Sequence, residues 1–331
     1  MAAQPVKPID PEDLERAQAT VALREELDAY VKSLVEGGLR NVYFVGAGGS
    51  LICSYPGHYV LTQRGDTPAF QAQSDEFNTA PPAAMGPGSL VVLASYTGTT
   101  KETVAAAKTA KDAGATVVTA AKAGTPLAEA STRNFVAKSD FFELMLAYAV
   151  LKATGKVDND DAIASSLAAL PQAIRSAAEQ SEDHLAQIAE KFKDDEITYV
   201  LGSGPNEAWA YGLAMCYLQE MQWKHAAGFN AGEFFQGAFE VVDDESAVIL
   251  LMAEDNSRPL AERAKTFLDT YGKRSECIDT AGLELDGVDP ELRADLTPLV
   301  IAGLCSRLAQ HYEAARGHDL KQRKYMFKVE Y

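Results

Sequence analysis

Two similar stretches of sequence decide the fold: VYFVGAG at Val42–Gly48 and TYVLGSG at Thr198–Gly204. Each is a short apolar run that ends in glycines, which is typical of a buried strand followed by a tight turn. The two stretches start 156 residues apart. Further pairs of landmarks recur in the same order at separations of 157 or 158 residues: the apolar runs that start at Ser89 and Ser246, the AKT triplets that start at Ala107 and Ala264, and the glycines Gly114 and Gly272. The spacing predicts two similar α/β domains in one chain.

Strands and helices alternate around the first of these stretches. Apolar runs predict buried strands at Asn41–Val45, Ser89–Ser95 and Thr116–Ala120. The segments between them predict helices, so the pattern is that of βαβ units with a parallel sheet. The predicted helices are one that begins at Pro11 and stops at Gly37 and Gly38, a helical stretch that runs up to Gly65, the segment Lys101–Ala113, and long helices over Phe141–Phe192 with a polar break near Val157–Asp161.

This pattern gives a domain organisation. We expect an N-terminal helix at residues 1–40, a first α/β domain at 41–150, a helical linker at 151–192, a second α/β domain at 193–310 and a C-terminal tail at 311–331.

Composition excludes several classes of partner. The 331 residues are 47% hydrophobic and 23% charged, which is ordinary for a soluble globular protein. The net charge of -17 argues against a nucleic acid or an anionic membrane surface as a partner. A small anionic substrate remains possible, because local dipoles can hold a phosphate whatever the net charge.

The four cysteines are scattered and predict neither a disulfide framework nor a zinc site. No apolar run is long enough for a signal peptide or a membrane span, so we expect a cytoplasmic protein.

The glycine loop after the first strand resembles a dinucleotide-binding fingerprint but departs from it. Gly46, Gly48 and Gly49 follow the strand, but Leu51 stands where the third glycine of GxGxxG is required. A nicotinamide or flavin cofactor is therefore not favoured.

The segment Ser95–Thr100 is a stronger candidate for a ligand site. It ends the second strand, begins the next helix, and carries hydroxyls at Ser95, Thr97, Thr99 and Thr100 beside Gly98. Hydroxyls and free N–H groups at a helix N-terminus form an anion site. The alternative is that these residues only cap the helix, but a cap needs one hydroxyl. At the corresponding place in the second half stand Ala253, Glu254, Asp255 and Asn256, so we expect only the first half to hold a phosphate.

Glu220 is a candidate acid–base group. It lies on a helix predicted over Asn206–Ala227, where it borders an apolar face. Partial burial there would raise its pKa and suit it to proton transfer. The alternative is an exposed ion pair with Lys224, one turn further along the helix. Helix geometry alone somewhat favours the ion pair.

The segment Gly228–Glu240 combines glycines with phenylalanines. It is typical of core packing around a tight loop, and such a loop can also present Glu233 or Gln236 to a cleft. Composition does not separate the two interpretations.

Taken together, these residues resemble the double-SIS (sugar isomerase) phosphosugar proteins, and among them the fructosamine-6-phosphate deglycases. The matching segments extend from the first sheet to the last residue: Gly46–Ser50, Ser95–Thr100, the EMQW of Glu220–Trp223, the GEFF of Gly232–Phe235 and the tail Arg323–Tyr331. The resemblance implies two three-layer α/β/α SIS domains with parallel sheets, a helical linker and a C-terminal tail.

The resemblance also assigns roles to residues. It implies that the substrate phosphate is held by Gly48, Gly49, Ser50, Ser95, Thr97, Gly98 and Thr100. It makes Glu220 the general acid–base between C1 and C2 of an open-chain sugar. Lys328 belongs to a tail that in similar proteins folds over the active site. The family further implies a homodimer with shared active sites, and no metal or redox cofactor.

One position departs from the family pattern. Similar enzymes carry Gly-Glu-x-x-His-Gly, and the histidine is thought to assist ring opening; here Gln236 takes its place. Glutamine has no pKa near neutrality and cannot shuttle a proton. Ring opening by another group, opening in solvent, or a different substrate would each account for Gln236.

The function expected from the sequence is cleavage of a 6-phosphorylated Amadori compound into glucose 6-phosphate and an amino acid. Two alternatives stay open: an aldose–ketose or amino-sugar phosphate isomerase or deaminase that uses the same glutamate, and a phosphosugar-binding protein without activity.

Overall fold

The computed structural model describes residues 5–330 and divides into two compact units. One unit is Pro11–Ala168; the other begins at Ala169 and includes the described residues before Pro11. The break between them falls inside a helix, and the domain bounds expected from the sequence remain predictions.

A parallel sheet forms the centre of the unit Pro11–Ala168. Its strands are β1 (Asn41–Gly46), β2 (Ala69–Gln73), β3 (Ser89–Ala94), β4 (Thr116–Ala120) and β5 (Arg133–Phe135), in the order β2-β1-β3-β4-β5. The helices are α1 (Pro11–Val21), α2 (Arg24–Glu36), α3 (Gly49–Arg64), α4 (Ser74–Thr79), α5 (Lys101–Asp112), α6 (Pro126–Ala130), α7 (Ser139–Ala153) and the first part of α8 (Asp160–Gln180). Every residue of β1 and β3 is buried, because helices cover both faces of a parallel sheet.

The second unit repeats this arrangement. Its strands are β6 (Ile197–Gly202), β7 (His225–Asn230), β8 (Ala247–Met252) and β9 (Ser275–Asp279), again parallel and in the order β7-β6-β8-β9. Besides the end of α8, its α-helices are α9 (Glu182–Phe192), α10 (Asn206–Gly212), α11 (Arg258–Tyr271) and α12 (Arg293–Arg316). In each sheet the second strand, the first, the third and the fourth are neighbours in that order. The prediction of two similar α/β domains with parallel sheets is confirmed.

The N-terminal helix predicted from Pro11 to Gly37 is wrong in one respect, because it is two helices, α1 and α2. The chain turns between Val21 and Arg24. The Thr20 hydroxyl donates to the carbonyl of Arg16 and accepts a hydrogen bond of 2.8 Å from the Lys138 N–H. This contact ties the end of α1 to the segment before α7.

The helix predicted over Asn206–Ala227 is shorter than expected. After α10 the chain continues as a π-helical segment, Leu213–Met221, and then enters strand β7 at His225. The backbone N–H of Gln222 donates to the carbonyl of Tyr217, five residues earlier, which is the π pattern. Trp223 follows with a positive φ of 54°, a conformation that ends the helix.

Among the described residues, no helix combines the length and the apolar character that crossing a bilayer requires.

Candidate active site

The loop Ser95–Thr100 joins β3 to α5 and is organised by its own hydroxyls. Ser95 is buried, and its Oγ lies 3.0 Å from Thr100 Oγ1 and accepts a hydrogen bond of 3.1 Å from the Gly98 N–H. Thr97 Oγ1 accepts from the N–H of Thr99 at 3.3 Å and from its hydroxyl at 2.9 Å. Thr100 is the N-cap residue of α5, but its side chain does not cap the helix. The hydroxyls thus form a network at the helix N-terminus, which the capping interpretation does not account for.

Gly98 is required by the path of this loop. Its φ is 65°, and a Cβ built on it would lie 2.2 Å from the hydroxyl oxygen of Thr125. Its carbonyl accepts a hydrogen bond of 3.0 Å from the Leu127 N–H. The Gly98 backbone is therefore buried and packed against α6, in a conformation that favours glycine.

The second predicted phosphate segment, Gly48–Ser50, lies at the same edge of the sheet. It joins β1 to α3, and β1 and β3 are adjacent strands. The chain leaves β1 toward β2 on one side and continues from β3 toward β4 on the other. Ligands of parallel α/β sheets bind at such a switch point, outside the carboxyl ends of the strands. Topology therefore brings the two predicted phosphate segments to the same edge of the sheet.

Positive charge lies beside this loop. Tyr96 is 65% exposed, and the Lys122 ammonium lies 4.8 Å from the centroid of its ring. The Arg16 guanidinium lies 5.2 Å from the same centroid. The charge of Arg16 is offset by its ion pair of 2.8 Å with Asp13, whereas the Lys122 ammonium adds to the favourable potential that a helix N-terminus gives an anion.

The equivalent place in the second unit is filled by the protein itself. Asp255 is buried, and its carboxylate accepts hydrogen bonds from the Ser257 N–H at 2.8 Å and from Asn206 Nδ2 at 3.1 Å. A Cβ on Gly204, which has a φ of 52°, would lie 2.7 Å from the Asp255 carboxylate. Burial raises the pKa of Asp255, while its hydrogen bonds oppose that shift. The sequence predicted carboxylates at this turn. It did not predict that the Asp255 carboxylate accepts hydrogen bonds from the turn itself.

Glu220 lies near the end of the π-helical segment Leu213–Met221 and is half-buried, with 23% of its side chain exposed. Its Oε1 forms an ion pair of 2.7 Å with Nη2 of Arg323, a residue of the C-terminal tail. Burial raises the pKa of Glu220, and the Arg323 guanidinium opposes this rise. One turn earlier, burial and the Glu220 charge raise the pKa of Cys216 to about 12.

The alternative partner, Lys224, is engaged elsewhere. Lys224 is buried, and its Nζ donates to the backbone carbonyl of Asp195 at 2.6 Å and to that of Lys193 at 3.3 Å. The helix ends between Glu220 and Lys224, so the one-turn spacing that suggested an exposed pair does not exist. The interpretation of Glu220 as a partner of Lys224 is wrong.

Lys328, predicted to lie near the substrate, belongs to the same tail. Its Nζ donates to the backbone carbonyl of Arg323 at 2.5 Å. The tail follows α12 as a series of turns. The last residue of the tail motif, Tyr331, lies outside the described residues. Arg323 belongs to the tail motif Arg323–Tyr331, but its pairing with Glu220 joins residues too far apart in sequence to be inferred from spacing.

Gln236 lies in a short 3₁₀ turn, Glu233–Gln236, and is exposed, as is Glu233. The phenylalanines of this segment face the core. Their rings pack with that of Phe267 on α11 at centroid distances of 5.7 to 5.8 Å: Phe234, Phe235 and Phe239. The segment therefore does both things that its composition allowed, because it packs a core and exposes polar side chains.

In the part of the chain that the structure describes, no group of three or more His, Cys, Asp or Glu side chains is arranged to hold a metal ion. The glycine turn after β1 is tightly packed, since a Cβ on Gly46 would lie 2.8 Å from the backbone nitrogen of Leu51.

Comparisons with known proteins show the family of the chain. The SIS domain model matches residues 39–150. Fructosamine deglycase FrlB of Bacillus subtilis is 34% identical over 95% of this chain and 100% of its own length. The chain belongs to the SIS domain family. The expectation of an SIS-family enzyme is confirmed.

Two further similar proteins extend the comparison. Fructoselysine 6-phosphate deglycase of Escherichia coli is 24% identical over 90% of this chain and 88% of its own length. The crystal structure of a candidate phosphosugar isomerase from Bacillus subtilis superposes with a TM-score of 0.88 at 31% identity, over 96% of this chain and 100% of that chain. The likeness therefore extends over both units and is not confined to the segment that the SIS domain model matches.

Proposed function

We propose that this SIS-family protein is a deglycase that cleaves a 6-phosphorylated Amadori compound, a fructosyl-amino acid 6-phosphate, into glucose 6-phosphate and an amino acid. The observation that carries the proposal is the half-buried carboxylate of Glu220. This residue lies on a π-helical segment, and its carboxylate is held by Arg323 of the tail. Such segments occur frequently at functional sites. Similarity to fructosamine deglycase FrlB along nearly the whole chain supports this substrate class.

Glu220 acts as the base and then as the acid. The substrate is a ketose that carries the amino acid nitrogen on C1. Glu220 removes a proton from C1, which gives an enolamine, and a proton returned to C2 gives a Schiff base between C1 and nitrogen. Water adds to C1, and the C–N bond breaks to release the aldose phosphate and the amine. One placed carboxylate contributes roughly 10²–10⁴-fold to such a proton transfer.

The substrate phosphate is assigned to the loop Ser95–Thr100 and to Gly48, Gly49 and Ser50. The loop offers hydroxyls and a helix N-terminus, and two cations flank it at Tyr96. A phosphate held away from the reacting carbons supplies binding energy that orients C1 and C2.

Product analysis tests the reaction. The purified protein is incubated with a set of fructosyl-amino acid 6-phosphates, and both glucose 6-phosphate and free amino acid are measured. A deglycase releases the two in equal amounts. Sugar phosphate isomerisation or ammonia release without amino acid would indicate the isomerase or deaminase alternative.

The second alternative is a phosphosugar-binding protein without activity, and Gln236 is the observation that favours it. Glutamine replaces the histidine expected from the family pattern and is exposed. Binding of Amadori phosphates in a calorimeter, without product from any of them, would establish this alternative.

A homodimer with shared active sites is part of the proposal. It rests on the resemblance, in which a loop of the neighbouring subunit completes the site. Light scattering gives the mass in solution, and full activity in a demonstrated monomer would contradict it.

A further inference from the structure

Arg323 is fixed by the tail that carries it. Its Nη1 donates to the carbonyls of Leu320 at 2.6 Å and Gln322 at 2.8 Å, and its own carbonyl accepts from Lys328 Nζ at 2.5 Å. Only 16% of its side chain is exposed. The remaining Nη2 forms the ion pair with Glu220. The guanidinium thus has one fixed orientation, set by local backbone contacts, with a single branch directed at the carboxylate.

The tail is also fastened to the segment that carries Glu220. Gln222, two residues after Glu220, is buried, and its Nε2 donates to the carbonyl of His318 at 2.8 Å. Arg316 Nη1 donates to the side-chain oxygen of Gln222 at 3.1 Å and to its backbone carbonyl. The rings of Trp223 and His318 pack edge to face with centroids 4.6 Å apart. These contacts, made just before Arg323 in the chain, hold the tail in register with the segment that carries Glu220.

The charged surroundings of Glu220 are simple within the described residues. The tail contributes Arg323, and the π-helical segment contributes Cys216, one turn before Glu220. The thiol is neutral at ordinary pH because its pKa is about 12. Lys224 bonds two backbone carbonyls instead. Arg323 is therefore the group whose charge acts on Glu220.

We infer that Arg323 is a positioning residue, which keeps the Glu220 carboxylate ionised and oriented for proton transfer. The inference rests on the proposed role of Glu220 as the base. Because Arg323 binds Oε1 of Glu220, the proton transfer is assigned to Oε2 of the same carboxylate. The carboxylate must take a proton from C1 and give it back at C2, and a neighbouring cation makes the protonated acid a better donor in the second step.

The position of Arg323 destabilises the folded state in one respect. Its Nε is buried and has no hydrogen-bond partner among the described residues. An unsatisfied buried donor destabilises the folded state. Its position beside a half-buried carboxylate favours a role in the chemistry of that carboxylate.

The test is the pH dependence of kcat in Arg323→Gln. Without the cation, burial alone acts on Glu220, so the acid limb of the profile moves to higher pH. At a pH below the acid limb, kcat as a fraction of its value at high pH should be roughly tenfold or more lower in the variant than in wild type. Arg323→Lys keeps the charge and should keep the limb while losing kcat, because the forked contacts to backbone carbonyls are lost. Lys321→Gln, which removes an exposed cation two residues away, is the matched control and should behave as wild type.

A second measurement does not depend on turnover. The carboxyl ¹³C resonance of Glu220, assigned by its absence in Glu220→Gln, is titrated in wild type and in Arg323→Gln. A midpoint that moves to higher pH in the variant supports the inference, and an unmoved midpoint overturns it. If Arg323→Gln does not fold, a limb that moves in Arg323→Lys overturns it instead. Wild-type turnover in Glu220→Gln would refute the proposed function, whereas an inactive Glu220→Gln with an unmoved limb in Arg323→Gln would refute only the role of Arg323.

Discussion

The Asp255 carboxylate accepts a hydrogen bond of 2.8 Å from the backbone N–H of Ser257, at the start of α11. Ser257 is the N-cap residue of that helix, as Thr100 is of α5, and the two are 157 residues apart, the spacing of the internal repeat. In the second unit the donors at this turn are therefore taken up by a side chain of the protein. At the position of Asp255 the first unit has Gly98, which has no side chain that could take up the corresponding donors.

This difference predicts where phosphosugars bind. Replacing Thr97 and Thr100 by valine removes two hydroxyls from the loop, together with their contacts to Thr99 and Ser95, at nearly constant side-chain size. Because a hydrogen bond to a charged group contributes about 1.5–3 kcal/mol, affinity should fall roughly tenfold or more. Isothermal titration with fructose 6-phosphate and with a fructosyl-amino acid 6-phosphate measures the loss.

Ser257→Ala is the matched control for this prediction. It removes the hydroxyl at the equivalent N-cap, which contacts Ser203 Oγ at 3.0 Å, and should lower the melting temperature without changing phosphosugar affinity. Unchanged affinity in a folded Thr97→Val, Thr100→Val protein would count decisively against the loop.

The strands that the sequence predicted are those that are buried on both faces. All residues of β1, β3 and β8 are buried, and such strands appear as continuous apolar runs. The four missed strands, β2, β5, β7 and β9, all lie at sheet edges and are only partly buried. Their sequences, AFQAQ, RNF, HAAGFN and SECID, all contain polar residues. Partial burial leaves no apolar run, so pairing with a neighbouring strand determines these elements.

The sequence could predict only those parts of the candidate site that consecutive residues form. The hydroxyl loop was visible because its residues are consecutive. The environment of Glu220 was not, because the π-helical segment changes which residues share a face, and an α-helical spacing therefore placed Lys224 beside it. Arg323 comes from the other end of the unit, and only the folded tail brings it to Glu220.

Glu220→Gln tests the proposed base directly. The change keeps the shape of the side chain and removes the ionisable group. Turnover should fall by roughly 10²-fold or more. Phosphosugar affinity should stay nearly constant, because the phosphate is assigned to the loop Ser95–Thr100. Steady-state kinetics and calorimetry on the same preparation measure both quantities.

Glu240→Gln serves as the control for Glu220, because it neutralises an exposed carboxylate of the same unit. It should keep wild-type turnover. Melting curves establish that both variants fold. A fully active Glu220→Gln enzyme would rule out Glu220 as the base.

Gln236→His restores the residue that the family pattern leads one to expect. Because Gln236 is exposed, the change should not affect folding. We expect turnover to rise, since an imidazole can shuttle a proton near neutral pH and an amide cannot. Initial rates measured with freshly dissolved substrate are the readout, and Gln236→Ala is the control for simple loss of the amide. A fall in activity for both variants would instead mean that Gln236 recognises a feature of a different substrate.

The pairing of Glu182 with Arg307 predicts how stability depends on pH. Arg307 on α12 is 8% exposed, and its Nε donates to Glu182 Oε2 at 2.7 Å. The Arg307 hydrogen bond holds the pKa of Glu182 below its usual range. A carboxylate with a lowered pKa stabilises the folded state at neutral pH, and this contribution is lost as the pH falls through the folded-state pKa.

Glu182→Gln should therefore destabilise the protein at pH about 7 and much less in acid, where the wild-type carboxylate is itself protonated. Breaking a buried pair costs about 3–5 kcal/mol. Because the Glu182 side chain is 36% exposed, solvent screening reduces the expected loss to about 1–2 kcal/mol. Urea unfolding at both pH values measures the difference.

Glu179→Gln removes an exposed partner of Arg175 on α8 and should cost less than about 0.5 kcal/mol at either pH. A Glu182→Gln deficit that is equally large in acid would mean that the ion pair is not its cause.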